Sequence, residues 1–99
     1  MLYALIGRDG PDALAVRRRT RSLHLDRLRQ LVEAGRVALA GPMPAVDSPD
    51  PGEAGFAGSL IVAEFDSLEA ALEWLRGDPY VTEGVFESYE VQPFVRVLP

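Results

Sequence analysis

The residues best suited to proton transfer in this sequence are one histidine and the acidic side chains that can lie beside it. His24 is the only histidine in 99 residues, and an imidazole can take or give a proton near neutral pH. A neighbouring carboxylate would fix the tautomer of the ring and raise its basicity. We predict Asp78 as that partner and the two residues as a catalytic pair. Two alternatives stay open: Asp78 before Pro79 is a typical helix cap, and His24 can be a structural residue.

Two arginines and a serine are the candidate substrate-binding residues. A helical step of about 100° per residue puts Arg17 and Arg21 on the face of His24, and that face continues with apolar residues, namely Leu28, Leu31 and Val32. Charged groups on a core-facing stripe either extend beyond the domain edge or line a pocket. In a pocket, the guanidinium groups would suit an anionic or phenolate-like ligand. Ser59, which follows Gly58 at the head of a predicted strand, could donate a hydrogen bond or simply begin that strand.

The composition excludes several kinds of chemistry. The sequence has no cysteine, and all ten basic residues are arginine, so neither a thiolate nor a lysine Schiff base is available. One histidine cannot form a multi-histidine metal site within a chain. The sequence also lacks the glycine patterns of nucleotide-binding loops. We therefore predict no metal and no cofactor.

Charge and hydropathy indicate the expected partners and location. The net charge of −5 disfavours nucleic acid as a partner, because phosphate binding needs a basic surface. No apolar run approaches the roughly 18–20 residues that cross a bilayer, so no membrane association is expected. The start of the sequence lacks the basic and apolar regions of a secretory signal. A cytoplasmic location is the default expectation.

The elements that must position these residues occur in the order β-α-β-β-α-β within a single domain, residues 1–99. Apolar runs and turn residues predict strands at 2–6, 36–40, 58–65 and 86–97. A long helix is predicted to begin near Pro11-Asp12-Ala13 and to end at Gly35, and a second follows a cap at Asp66 or Ser67 and ends at Gly77. This order is that of the ferredoxin-like α+β fold, in which a four-stranded antiparallel sheet carries both helices on one face.

Two further features are open at the level of sequence. Segment 42–57 contains four prolines and two glycines without an apolar period, which predicts either a functional loop or a plain hairpin tip. The first and third strands are apolar on both faces, so the sheet needs a cover on the side away from the helices. A second copy of the chain is the expected cover, which predicts a homodimer.

Several segments in this order resemble the YciI-like (YCII-related) family over nearly the whole chain. The three most specific are Arg21-Ser22-Leu23-His24-Leu25, Ala40-Gly41-Pro42-Met43-Pro44 and Asp78-Pro79-Tyr80. Similar segments include Met1-Leu2-Tyr3, Asp50-Pro51-Gly52, Ala54-Gly55-Phe56, Gly58-Ser59 and Pro93-Phe94. The helix before His24 is richer in arginine than expected for the family. The role assigned to Arg17 therefore depends on periodicity, whereas Arg21 lies within a matching segment.

The resemblance implies a dimeric α-β barrel and a site built around a histidine–aspartate pair, here His24 and Asp78. One branch of the family is similar to enzymes that eliminate chloride from chlorinated hydroxyquinols, and the wider superfamily includes muconolactone isomerase and small monooxygenases. The expected function is a small cofactor-independent enzyme that eliminates or isomerises a small anionic or phenolic substrate. The alternative is a non-catalytic dimer that binds a small ligand or a partner protein.

Overall fold

A computed structural model describes residues 1–99 as one four-stranded antiparallel sheet with helices. The strands are β1 (Leu2–Asp9), β2 (Val37–Pro44), β3 (Phe56–Glu64) and β4 (Phe86–Phe94), and their order in the sheet is β2-β3-β1-β4. The helices are α1 (Ala13–Glu33), α2 (Leu68–Arg76) and the single turn α3 (Pro79–Thr82), with a 3₁₀ turn at Gly52–Ala54. The predicted ferredoxin-like α+β fold is confirmed.

The core lies between the helices and one face of the sheet. In β1, buried residues alternate with partly exposed ones, so Tyr3 and Leu5 face the core. They pack with buried residues of α1 and α2, including Leu28, Leu31 and Leu75. The face of α1 that contains Arg17, Thr20 and His24 belongs to the same buried stripe. Arg17, Thr20 and His24 are therefore part of the packed interior and do not extend beyond the domain edge, whereas Arg21 on the same predicted face is exposed.

Several details differ from the sequence-based prediction. Val32 is 58% exposed and does not belong to the buried stripe of α1. Strand β2 continues through Gly41 and Pro42 to Pro44, because β2 lies at the edge of the sheet, where a proline can leave its missing N–H on the unpaired side. Strand β1 extends beyond residue 6 to Asp9, and β4 ends at Phe94 rather than at 97. Strand β3 begins at Phe56 rather than at 58, so the proline-rich segment between β2 and β3 is shorter than predicted and covers only residues 45–55.

The caps that begin α2 and α3 agree with local sequence rules. The side chain of Ser67 accepts a hydrogen bond from the backbone N–H of Ala70 at 3.0 Å, which selects Ser67 over Asp66 as the cap of α2. Asp78 caps α3 by accepting from the backbone N–H of Tyr80 at 2.9 Å, and Pro79 occupies the first turn. The second cap fixes the Asp78 carboxyl group at the end of α2, next to the middle of α1.

No helix of the chain is both long and apolar enough to cross a lipid bilayer.

Candidate functional site

The centre of the site is a contact between α1 and the cap of α3. His24 Nδ1 lies 2.8 Å from Asp78 Oδ1, and both side chains are buried, Asp78 to 0% exposure. A carboxylate oxygen can only accept, so Nδ1 carries the hydrogen and donates it. The second ring nitrogen, Nε2, is then left to exchange a proton with a bound molecule. This geometry places the two residues predicted as a catalytic pair in direct contact.

Asp78 makes more contacts than the sequence predicted. Its Oδ1 accepts from His24 and from the backbone N–H of Tyr80, while Oδ2 accepts from Arg27 Nη1 at 3.1 Å. A buried carboxylate is costly unless it is paired and hydrogen-bonded, and here three donors satisfy it. The capping role and the histidine contact, weighed above as alternatives, are both present in one side chain.

Tyr80 forms a wall of the site and was not predicted from the sequence. Its ring stacks on the imidazole of His24 with centroids 3.9 Å apart and planes 10° from parallel. On another side it meets the ring of Phe86 edge-on at 5.7 Å. Phe86 has room because Gly7 lies beneath it, where a Cβ atom would be 2.3 Å from the ring. Burial raises the pKa of the Tyr80 phenol above 10.0, although the positive charges of Arg17 and Arg21 oppose that rise.

Arg17 is buried and held by two other elements. Its Nε and Nη2 donate to the two carboxylate oxygens of Asp9 at 2.9 and 2.8 Å, and Nη2 also donates to Ser59 Oγ at 3.0 Å. Its guanidinium carbon lies 4.8 Å from the centre of the Tyr80 ring and 5.0 Å from that of Phe56. The charge of Arg17 is therefore compensated by Asp9 within the protein, and its additional hydrogen bond orients the Ser59 hydroxyl.

Arg21 differs from Arg17 because its guanidinium has no partner. The side chain is exposed and belongs to none of the ion pairs or side-chain hydrogen bonds of the chain. It lines a cavity of about 210 Å³ together with His24, Ser59 and Tyr80, and apolar residues complete the wall: Leu25, Leu28, Ala40, Pro42 and Ile61. Arg21 is thus the cation at this cavity that is available to an anionic ligand.

A second cavity of about 220 Å³ adjoins the first. The two share four lining residues, Arg17, Arg21, Pro42 and Tyr80, and the second is closed by Asp50, Pro51 and Gly52 of the proline-rich segment. That segment therefore forms part of the wall beside the candidate site.

Three residues at the site were missed by sequence reasoning: Asp9, Arg27 and Tyr80. Each had a weak signal. Asp9 ends an apolar strand ahead of a buried arginine that needs an anion, and Arg27 lies three residues after His24, on a neighbouring part of the same helix face. Tyr80 lies in the Asp-Pro-Tyr segment, which indicated a helix cap and the family resemblance but gave the tyrosine itself no role. No group of three or more histidine, aspartate or glutamate side chains is arranged to hold a metal ion.

The fold and the site together define a small ferredoxin-like α+β protein in which a buried histidine–aspartate pair borders a cavity with an unpaired arginine. The family model for the YCII-related domain matches residues 1–95. The chain belongs to this YCII-related family, as its sequence resemblance indicated. It is 54% identical to Protein YciI of Escherichia coli O6:H1 over 97 residues, which cover 98% of this chain and 99% of that protein.

Two further comparisons extend this assignment. An uncharacterized protein of Haemophilus influenzae is 44% identical over 97 residues, covering 98% of this chain and 99% of that protein. Among solved structures, 5-chloro-2-hydroxyhydroquinone dehydrochlorinase from Burkholderia phenoliruptrix AC1100, in complex with 2,5-dihydroxybenzoquinone, superposes with a TM-score of 0.84. That match covers 96% of this chain and 94% of the other at 23% identity, so it supports the fold.

Proposed function

We propose that this protein is a small enzyme that eliminates or isomerises a small anionic or phenolic substrate, with His24 as general acid and base. The observation that carries the proposal is the 2.8 Å contact between His24 Nδ1 and the buried Asp78 carboxylate, beside a cavity that His24 lines. An oriented imidazole is the usual group for moving a proton near neutral pH. The structural neighbour that acts as a dehydrochlorinase supports the same class of reaction.

In this proposal each residue has a separate task. His24 Nε2 removes a proton from a substrate hydroxyl and the O–H electron pair forms a C=O bond, while the adjacent C=C pair takes a proton from the imidazolium at the carbon that bears the leaving group. In an elimination a second hydroxyl then gives its proton to Nε2 and forms another C=O bond, the C=C pair beside it shifts to form a new C=C bond, and the leaving group departs with the electrons of its own bond. Asp78 holds the ring and stabilises the imidazolium that forms. Arg21 binds the negative charge of the substrate. Because Ser59 Oγ already accepts from Arg17, its hydrogen is free to be donated to a substrate oxygen.

Arg21 rather than Arg17 is assigned to bind the negative charge of the substrate, because only Arg17 is already paired with a carboxylate. Arg17 makes two hydrogen bonds to one carboxylate, whereas Arg21 makes no ion pair. Desolvating an unpaired surface cation against a ligand anion costs less than breaking a buried pair. Arg17 therefore contributes to substrate binding through the Ser59 hydroxyl and the cavity wall.

Chloride release from 5-chloro-2-hydroxyhydroquinone, the substrate named for the structural neighbour, tests the proposal. We expect release by the wild-type chain and a loss of roughly 10²–10⁴-fold in Asp78→Asn, because the carboxylate that fixes the imidazole is gone. Asp26→Asn is the matched control, since Asp26 is an exposed aspartate on the same helix. Equal rates in wild type, Asp78→Asn and His24→Gln would contradict the proposed mechanism.

The same experiment separates the alternative function, a non-catalytic protein that binds a small ligand or a partner. Binding of 2,5-dihydroxybenzoquinone is measured by calorimetry in wild type, Arg21→Gln and the exposed-arginine control Arg19→Gln. Binding that depends on Arg21, without chloride release from any variant, would favour the binding protein over the enzyme. The predicted absence of a cofactor and the cytoplasmic location stay predictions.

We also propose that the chain forms a homodimer through the face of the sheet that points away from the helices. The register pairs Ile6 with Leu60 and Ala4 with Val62 on that face, and Leu39 beside them is 54% exposed. A contiguous apolar sheet face needs a cover. Sedimentation velocity should show a dimer that Leu60→Glu dissociates, while Leu23→Glu on the exposed side of α1 leaves it intact. A monomeric wild type would contradict this arrangement.

A further inference from the structure

The carboxylate that orients His24 is shared between two basic side chains of the same helix. Asp78 Oδ1 contacts His24 Nδ1 at 2.8 Å, and Oδ2 accepts from Arg27 Nη1 at 3.1 Å. Asp78 is fully buried, so its negative charge is compensated by protein groups alone. Any change in the position or charge of Arg27 must therefore alter the electrostatic potential at the imidazole of His24.

Arg27 is held in place by a second contact. Its guanidinium carbon lies 4.4 Å from the centre of the Trp74 ring of α2, a cation–π geometry. The side chain is only 28% exposed, so its charge is partly desolvated. Trp74 and Asp78 thus fix the guanidinium from two sides. With Oδ2 bound to Arg27, the carboxylate cannot rotate freely, and Oδ1 stays directed at the imidazole.

We propose that Arg27 is a positioning residue that fixes the orientation of the Asp78 carboxylate and, through its positive charge, reduces the negative potential that this carboxylate exerts at the His24 ring. A positive charge beside a carboxylate opposes the effect of that carboxylate on a neighbouring imidazole. A base that is neutral in the resting state is the form that can accept a proton from a substrate. The consequence for catalysis rests on the proposed function, whereas the effect on the imidazole does not.

A substitution at Arg27 leaves every other charged and titratable residue around His24 in the sequence. They are Asp78 and Tyr80 at the start of α3, Arg17 and Arg21 on α1, and Asp9 on β1 behind Arg17. Ser59 on β3 adds a hydroxyl, and β2 adds only apolar residues to this wall. A titration difference between wild type and an Arg27 variant can therefore be assigned to the loss of the guanidinium, through its charge and through its contact with Asp78.

The test is a pH titration of the His24 ring by NMR, which is simple because the chain has one histidine. We expect Arg27→Gln to move the titration midpoint of the ring upward by about 0.5–1 pH unit, since a charge near a shared carboxylate is removed. Arg27→Lys, which keeps the charge, should restore most of the wild-type midpoint. Arg29→Gln is the matched control, because Arg29 lies on the same helix and is exposed.

Two results would overturn the proposal. One is an unchanged midpoint in a folded Arg27→Gln protein, and the other is an equal shift in Arg29→Gln, which would indicate a general surface-charge effect. If Arg27→Gln fails to fold, Trp74→Leu replaces it as the variant. It removes the ring that holds Arg27, and a smaller upward shift is expected, whereas no shift would overturn the proposal. A shift without chloride release in wild type would refute only the enzymatic function.

Discussion

The buried face of α1 carries two basic residues that meet carboxylates in opposite ways. The two basic residues, Arg17 and His24, are seven residues apart. Arg17 binds both oxygens of Asp9, while His24 binds one oxygen of Asp78 and leaves its other nitrogen beside the cavity. The first pair joins a permanent cation to a carboxylate in a two-point geometry. The second joins a titratable ring to a carboxylate that is shared with Arg27. The first pair holds α1 to the end of β1, and the second retains a group that can exchange a proton.

The difference shows how one helix face can combine stability with chemistry. Both pairs are buried, so removing either partner leaves an uncompensated polar group. In the Arg17 pair every strong interaction is made within the protein, including the bond to Ser59. In the His24 pair one nitrogen has no partner in the chain. Tyr80 lies between the two, because its ring stacks on His24 and the Arg17 guanidinium carbon lies 4.8 Å from its centre.

The largest expected effect comes from breaking the Arg17 pair. In Arg17→Met the Asp9 carboxylate, whose side chain is only 4% exposed, loses its counter-ion. We expect the free energy of unfolding to fall by about 3–5 kcal/mol, as measured by urea denaturation at neutral pH. Arg18→Gln is the control, because its ion pair with Glu53 is exposed and should matter by less than about 1 kcal/mol. A small loss in Arg17→Met would contradict a structural role.

A smaller effect is expected from neutralising the second carboxylate. In Asp78→Asn an oxygen remains to accept from the Tyr80 N–H, and Arg27, which is partly exposed, can turn to water. We expect a loss of about 1.5–3 kcal/mol in the free energy of unfolding, typical of hydrogen bonds to a charged group. The measurement is the same urea denaturation. A loss larger than that of Arg17→Met would contradict the expectation that the Arg17–Asp9 pair contributes more to stability than the His24–Asp78 pair.

The sequence predicted the fold well because its periodic patterns are strong. Local sequence determines three features of the fold: the end of α1 before Gly35, the cap of α3 at Asp78 and the alternation of buried residues in β1. Strand β2 was predicted too short, since whether a strand tolerates Pro42 depends on its place at the edge of the sheet. That place is a property of the tertiary structure.

The site was partly accessible for a similar reason. Helical periodicity predicted that Arg17 and His24 share a face, and both are buried there. The distance from His24 to Asp78 was beyond sequence reasoning, because 54 residues separate them. Asp9 was missed because its contact with Arg17 requires knowing that β1 ends beside the start of α1. Arg21 shares the predicted face but remains exposed at the cavity, because helical spacing gives a direction and not a depth.

The smallest expected effect concerns Tyr80, the ring between the two pairs. Burial raises the pKa of its phenol above 10.0, so the unfolded chain loses this proton at lower pH than the folded chain. The contribution of this group to stability is therefore complete below about pH 10 and is lost as the pH rises through the folded pKa. In Tyr80→Phe, urea denaturation between about pH 9 and 11 should show a shallower decline than in wild type, with Tyr89→Phe as the comparison at an exposed site. Identical slopes in wild type and Tyr80→Phe would contradict this effect of burial and would mean that the phenol, which lies between the two pairs, is hydrated through the cavity.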